Sequence, residues 1–308
     1  MRVLICILFS LAINCFSQDI LKVPYYYNAE SVGNFDGVDD YIDCTDQDTF
    51  SFGNGTTDEA FSLSAWVTVN EGNTFFITKS DGGVSKEYIF YINLSGYLEF
   101  VVYKIGAGVN ALQVIERSSN LIGNTYFFTA TYDGSGAKEG IELYINGVEQ
   151  TEETRNEVGT YTAMSNGTHP VFINRFTNNY AYSKIWDVAI YNKELTPSEI
   201  LNIYNTRLFN DNIIGLWTFI EGDGATIYDA SGNGNNGAAT NTTLVYFWAK
   251  KTNQNRYGQN YGYTINAGVN IPALLDGSTD AQGNPIGVIA PSKNPKVLKQ
   301  DTVILKYE

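Results

Sequence analysis

Histidine occurs once in the 308 residues, cysteine three times and methionine twice. One histidine excludes any site built on a histidine cluster. His169 stands directly before Pro170, and a structural role at a strand edge is expected of it rather than general-base catalysis. Cys6 and Cys15 fall inside the first 17 residues, so a chain cleaved there keeps only Cys44 and can form no internal disulfide. A small buried thiol is the expectation for Cys44, with no histidine near it in sequence to activate it. Basic residues are also scarce, 19 Lys and Arg against 33 Asp and Glu, for a net charge of −14. That balance removes nucleic acid and anionic membrane from the expected partners, since both require a cationic face. Neutral polymers and divalent cations fit it better. Gly-rich loops of the phosphate-binding kind are missing too, because "DASGNGNNG" has neither the lysine nor the strand–helix setting.

The longest apolar run, from Val3 to Ile13 in MRVLICILFSLAINCFSQ, falls short of the roughly 20 residues that span a bilayer. With one basic residue before it and a small residue ahead of Gln18, it reads as a secretory signal cut after Ser17. Residues 1–17 are therefore expected to be removed, leaving a secreted or cell-surface protein with no transmembrane segment. Export without disulfides suits a bacterial origin.

Apolar residues make up 44% of the chain and aromatics 14%, led by 22 Tyr and 17 Phe. Such a composition builds a large core and argues against disorder. From Phe35 to Val188 short strands are separated by Gly, Asn and Asp turns. "FSLSAWVTV" (61–69) sets Phe61, Leu63, Ala65, Val67 and Val69 against Ser62, Ser64, Trp66 and Thr68, the period of two of a strand whose faces differ. Asn146-Gly147 in "LYINGVE" signals a type I′ hairpin. One helix is expected, at "LTPSEILNIYN" (195–205), with Thr196 as N-cap, Pro197 in the first turn and Glu199 closing a capping box. A boundary is expected near residue 243. Four of the seven prolines, with seven basic and four acidic residues, lie in 244–308, which reads as a small β-rich C-terminal extension.

Five segments, "GNFDGVDDYID", "FSLSAWVTV", "TYDGSGAKEGIELYINGVE", "SKIWDVAIYNKELTPSEI" and "GLWTFIEGDGATIYDASGNGNNG", together resemble the laminin G-like, pentraxin-related module of the concanavalin A-like lectin/glucanase superfamily. The resemblance covers residues 33–237. It implies an all-β fold, a jelly-roll sandwich of two antiparallel sheets, over residues 18–243. In the family the segment resembling Trp217 to Gly237 usually precedes the "FDG-x-DDY" motif, whereas here it follows the helix. It either closes the same sandwich from the C-terminal side or opens a truncated second copy.

The acid cluster of "GNFDGVDDYID" has three readings. Glucanases of the superfamily carry Glu-x-Asp-x-(x)-Glu on one strand face, and no such run occurs here. A second reading is a turn before a strand starting at Tyr41, with glycine relieving it and aspartates capping its amides. The third is calcium as a cofactor, held by Asp36, Asp39 and Asp40 if Asp187 or Asp229 comes near to complete the oxygen shell. The resemblance implies an acid after the first Ile of "IWDVAIY", where this chain has Trp186, so one familiar metal ligand is lost.

For ligand contact, Asn178, Asn179, Tyr180, Tyr182 and Trp186 of "NNYAYSKIW" are the candidates, aromatic faces for sugar rings and amides for hydroxyls. The alternative for these aromatics is core or rim packing, and Trp66 and Trp217 are expected in the core. The function expected is a secreted, non-catalytic binding or adhesion protein whose partners are a glycan or surface polysaccharide and other surface proteins. A structural module in a cell-surface or virion layer, without glycan binding, is the alternative.

Overall fold

The computed structural model describes residues 30–247, except 81, 84, 105, 107–109, 210, 211, 222 and 223. The expected signal at 1–17 and the extension from 248 onward lie outside the described residues. Two antiparallel sheets face each other. The first takes β1 (Glu30–Asp36), β3 (Phe61–Val69), β8 (Thr125–Tyr132), β9 (Ile141–Ile145), β10 (Val148–Glu149), β15 (Tyr182–Tyr191), β16 (Ile213–Trp217) and β19 (Thr243–Phe247). Its order is β10-β9-β8-β3-β15-β1-β19, with β16 also paired to β15. The second takes β2 (Tyr41–Asp43), β4 (Thr74–Ser80), β5 (Lys86–Ile92), β6 (Leu98–Tyr103), β7 (Ala111–Glu116), β11 (Glu153–Val158), β12 (Val171–Ile173), β17 (Thr226–Ile227) and β18 (Gly237–Thr240), in the order β11-β7-β6-β5-β4-β12-β2-β18-β17. A separate hairpin joins β13 (Arg175–Phe176) to β14 (Asn179–Tyr180). This is the jelly-roll sandwich that the resemblance implies.

Strand β3 shows how the alternation becomes a core. Phe61, Leu63, Ala65, Val67 and Val69 are all fully buried. Phe61 is stacked on Phe52 at 4.1 Å between centroids and meets Tyr88 and Phe100 within 5.8 Å. Burying aromatics of this size is the largest favourable contribution a sandwich has. On the other face Ser62 and Ser64 are buried as well, because α1 (Pro197–Thr206) lies over that half of the first sheet. Beneath it Phe127, Tyr144, Ala189, Tyr191, Leu195, Ile200, Ile203 and Leu216 form a second apolar cluster. The helix begins as the sequence indicates. Thr196 accepts from the Glu199 amide, Glu199 accepts from the Thr196 amide, and Pro197 opens the first turn. The β9–β10 hairpin likewise turns on Asn146 and Gly147, both at positive φ. Among the described residues no helix is long and apolar enough to cross a membrane.

The C-terminal segment closes this sandwich rather than opening a second one. Strand β16 pairs with β15 and β18 pairs with β2, and the Trp217 side chain is fully buried against Phe50. The boundary expected at 243 falls on the first residue of β19, which pairs with β1 as far as Glu30↔Phe247, so the sandwich runs through Phe247.

Two charge clusters, one buried and one half-buried, brace the sandwich. Lys79 is fully buried, donates to Asp46 at 2.6 Å and to the His169 carbonyl at 2.7 Å, and stands 3.2 Å from Glu87. His169 thus serves the frame through its backbone, while its ring packs edge-on against Phe172. Arg155 bridges Glu142 and Glu153 and donates to the carbonyls of Lys138 and Ile141. Burial pushes Glu87 up to about 6 although Lys79 pulls it down, and pushes Glu153 up to about 7 against the pull of Arg155. Cys44 is buried, as expected, and burial holds its thiol well above the ordinary range.

Asn174, at positive φ and fully buried, ties the sheets together. Its amide nitrogen donates to the carbonyls of Asp40 and Ala181, and its oxygen accepts from Ser183 of β15. Asn174→Ala would leave those groups without partners at about 1–3 kcal/mol each, so chemical denaturation should show a loss of several kcal/mol; a loss below about 1 kcal/mol would show the tie to be dispensable. The raised carboxyls set a pH trend. Because both groups bind protons more tightly folded than unfolded, their contribution is largest below the unfolded value near 4.5 and is lost as pH rises through about 6 and 7. The melting temperature should therefore rise from pH 8 to pH 5.5. Glu87→Gln and Glu153→Gln should each flatten that rise, and identical slopes in all three proteins would refute the assignment.

Candidate binding site

Strand β15 carries two of the five residues expected at a ligand site, Tyr182 and Trp186, in a readable register. Tyr182 lies opposite Asp36 of β1, Lys184 opposite Asn34 of β1 and Thr68 of β3, and Trp186 opposite Trp66 of β3. Opposed residues in a ladder share a face. One face of the first sheet therefore runs from the acid loop at Asp36, past Lys184 and Thr68, to the paired tryptophans.

At the acid end β1 finishes at Asp36, Gly37 takes a φ of +81°, and β2 begins at Tyr41. The turn is held by its own side chains. Asp36 accepts from the Val38 amide at 2.8 Å, and Asp40 accepts from the Asp36 amide at 2.7 Å. A Cβ at Gly37 would stand 3.0 Å from the Tyr182 nitrogen, which explains glycine there. Burial raises the Asp40 carboxyl, with the charges of Asp36 and Asp39 adding to the rise. Carboxylate oxygens of Asp36, Asp39 and Asp40 lie within 4.8 Å of one another. Two oxygens bound to one calcium at 2.3–2.6 Å can be no more than about 5 Å apart, so this all-oxygen set fits the ion. Neither proposed companion joins them. Asp187 is buried and salt-bridged to Arg207 at 2.5 Å. Asp229 accepts from the amides of Leu216, Ser231 and Asn235, where it organises the Gly/Asn loop after β17.

At the other end a groove of about 320 Å³ is lined by Val32, Trp66, Thr68, Thr125, Lys184, Trp186 and Arg207. Trp66 is stacked between Trp186, at 5.8 Å and 11°, and Tyr204 of α1, at 5.7 Å and 24°. The hydroxyls of Thr68 and Thr125 are paired at 2.8 Å. Arg207 ends the helix in the left-handed conformation and comes to the groove from that side.

The five expected contact residues do not form one site. Asn178 and Asn179 are exposed in the β13–β14 hairpin, and Tyr180 packs on Tyr41 of the second sheet at 6.0 Å. Tyr182 is 49% exposed on the first sheet, four residues before Trp186. Trp186 itself is only 8% exposed, a wall of the groove more than an open platform. Trp217 is core, as expected, but Trp66 is partly buried and lines the groove. A signal for this was present: Trp66 and Thr68 share the Ser/Thr face of "FSLSAWVTV". Lys184, Arg207, Thr125 and Tyr204 carried no comparable signal. On the second sheet Glu99 is buried and accepts from Gln113 and Asn93, one amide on each oxygen, so its bonds hold strands together.

Curated protein sequences offer no match to this chain. Among solved structures, a candidate carbohydrate-binding protein from Bacteroides ovatus aligns with a TM-score of 0.49 at 17% identity, over 72% of this chain and 61% of that one, so this chain spans less than two thirds of it. A heptameric SAP-like pentraxin from Limulus polyphemus aligns at 0.45 and 13% identity, over 71% and 95%. Domains LG4-5 of the mouse laminin alpha1 chain align at 0.38 and 14%, over 55% and 43%. The family profile Laminin_G_3 matches residues 35–201, from the first core aromatic of β1 into the capped helix and over more than half of the chain. This protein belongs to that family of the Concanavalin A-like lectin/glucanases superfamily.

Proposed function

We propose that this protein is an exported, non-catalytic glycan-binding module that receives saccharide in the groove over Trp66 and Trp186. The observation that carries the reading is the composition of that groove. Indole surface, a pair of threonine hydroxyls and two cationic side chains line one cavity of about 320 Å³. Ligand sites combine apolar walls with a few placed polar groups, and a pyranose has the matching apolar face and hydroxyl rim. Glycosidic hydrolysis needs two carboxyl groups on either side of the bond. No carboxylate stands among the described lining residues, which favours binding without cleavage.

A glycan array followed by calorimetry tests the reading. Trp66→Ala should weaken whichever saccharide is bound by about 1–2 kcal/mol, roughly five- to thirtyfold. Thr125→Ala, at an exposed position, is the companion variant that leaves the fold intact. Silence across the array, with ordered self-association of the protein, would replace this reading by a structural one.

Calcium at Asp36, Asp39 and Asp40 belongs to the same proposal, as a brace for the loop at the far end of the face. Calcium at about a hundred times its dissociation constant should stabilise the fold by about 2.7 kcal/mol. Asp39 is exposed, so Asp39→Ala should remove that gain without harming the apo protein. Equal melting temperatures in calcium and in chelator would reduce the cluster to a turn.

A further inference from the structure

Lys79 and the groups around it form a cluster that the binding face does not use. Lys79 is fully buried on β4, and its Nζ lies 2.6 Å from Asp46, 2.7 Å from the His169 carbonyl and 3.2 Å from Glu87. The strand register accounts for Glu87. Lys79 pairs with Tyr88 and Ser80 with Lys86, so Glu87 is the extra residue of a bulge in β5, and a bulge re-aims the side chain it carries. Glu87 is buried, and it also accepts from the Gly167 amide at 3.0 Å. One amine and two carboxyls thus converge on a single nitrogen that water does not reach. Burial pushes the Glu87 carboxyl up to about 6, a range in which a carboxyl near neutral pH both takes and returns a proton.

We propose that Lys79 and Asp46 condense to an intramolecular amide, with Glu87 relaying a proton. A nitrogen hydrogen-bonded to a carboxyl oxygen stands about 3–3.5 Å from the carboxyl carbon, the separation of a near-attack pair, and fixing reactants so is equivalent to a concentration of about 10⁵–10⁸ M. Lys79 Nζ attacks Asp46 Cγ, the bond from Cγ to one oxygen breaks, and that oxygen departs as water with two of the three ammonium protons. One proton passes along the Lys79–Asp46 hydrogen bond and the other through Glu87, which ends as it began. No oxidant or other reactant is consumed. The Asp46 side chain is 31% exposed, which gives the water a way out. The remaining N–H keeps the His169 carbonyl as its acceptor, and the sandwich is relieved of a buried ammonium. The bond passes over β12, whose Val171 pairs with Lys79 and donates its amide to the Thr45 carbonyl, and so ties β4 to the chain just after β2. It closes a loop of 33 residues, restraining the unfolded chain as a disulfide would, where Cys44 is free and offers none.

Intact mass and peptide mapping of the full chain test this. The protein should weigh one water less than its sequence, trypsin should not cut after Lys79, and fragment ions should be interrupted between Asp46 and Lys79. Asp46→Ala, at the partly exposed partner, should restore both the full mass and the cut. Glu87→Gln keeps the shape of the relay and should also leave the amide unformed. Asp46→Asn should give the same cross-linked mass as the natural chain by expelling ammonia in place of water. A full mass with a normal cut after Lys79 would overturn the proposal. So would a water loss that maps to an Asp-Gly pair such as Asp36-Gly37, where ring closure to a succinimide also expels water, or one that persists in Asp46→Ala. An amide formed undiminished in Glu87→Gln would overturn the relay.

Discussion

The ion pair between Asp187 and Arg207 sits at the one irregularity on which the rest of the binding face depends. Strand β15 pairs with β3 from Ser183 to Tyr191, while its other edge is shared, β1 taking Tyr182 to Ile185 and β16 taking Val188 to Tyr191. Between Trp186 and Ala189 the register with β3 slips by one residue. That extra residue lets Trp186 and Ala189 both face the helix side while Val188 and Ile190 join the core between the sheets. The bulge places Asp187 at a φ of +48° with its carboxylate buried, and burial raises that carboxyl even against the pull of Arg207. Asp187 is buried but Arg207 is partly exposed, so the pair adds little net stability, whereas removing Arg207 would leave the buried carboxylate uncompensated. Its consequence is positional. It sets where β15 changes phase and where α1 must end.

From that point the face divides into two halves with different fates. Beyond the bulge, α1 and the residues packed beneath it cover the sheet, and Ser62 spends its hydroxyl on the Lys193 carbonyl and the Leu195 amide to seat the connection. Before the bulge no helix among the described residues covers the sheet, and the edge of α1, through Tyr204 and Arg207, becomes the wall of the groove. The groove is therefore the step between a covered and an uncovered half of one sheet. Its position follows from helix length, which in turn is bounded by the Thr196–Glu199 capping box at one end and the left-handed Arg207 at the other.

Much of this was legible residue by residue. The alternation of "FSLSAWVTV" identifies the inward set, the capping residues place the helix start, and Asn146-Gly147 places a hairpin, because each is a local rule acting on neighbouring residues. Trp217 could be assigned to a core, but only the pairing of β16 and β18 decides that the core is the same one. The phase change at Asp187 could not be read, since a bulge is a relation between two strands about 120 residues apart in sequence. Without it, Trp186 looks like a partner of Asn178 to Tyr182. In the structure the hairpin at Arg175–Tyr180 turns toward Tyr41 and Phe172 on the second sheet, with Arg175 set 4.5 Å from each ring. Acids adjacent in sequence lie together at Asp36, Asp39 and Asp40, whereas the distant ones, Asp229 and Asp187, are engaged by the backbone and by Arg207.

The two ends of the face are chemically opposite, and their separation lets both exist. Four residues of strand lie between the level of Asp36 and that of Trp186, about 13 Å at a rise of about 3.3 Å per residue. Charges screen over about 8 Å at physiological ionic strength. The acid loop therefore acts weakly on Arg207, beside the tryptophans, but more strongly on Lys184, only two residues along the strand from Tyr182. An overall charge of −14 opposes the approach of any anion from afar, yet it acts through the same screened medium. Within the groove the nearest charges decide, and there the charge of Arg207 is met by the buried Asp187. Asp187 thus fixes Arg207 from directly beneath the groove, while the acid loop, a strand's length away, bears on Lys184 instead.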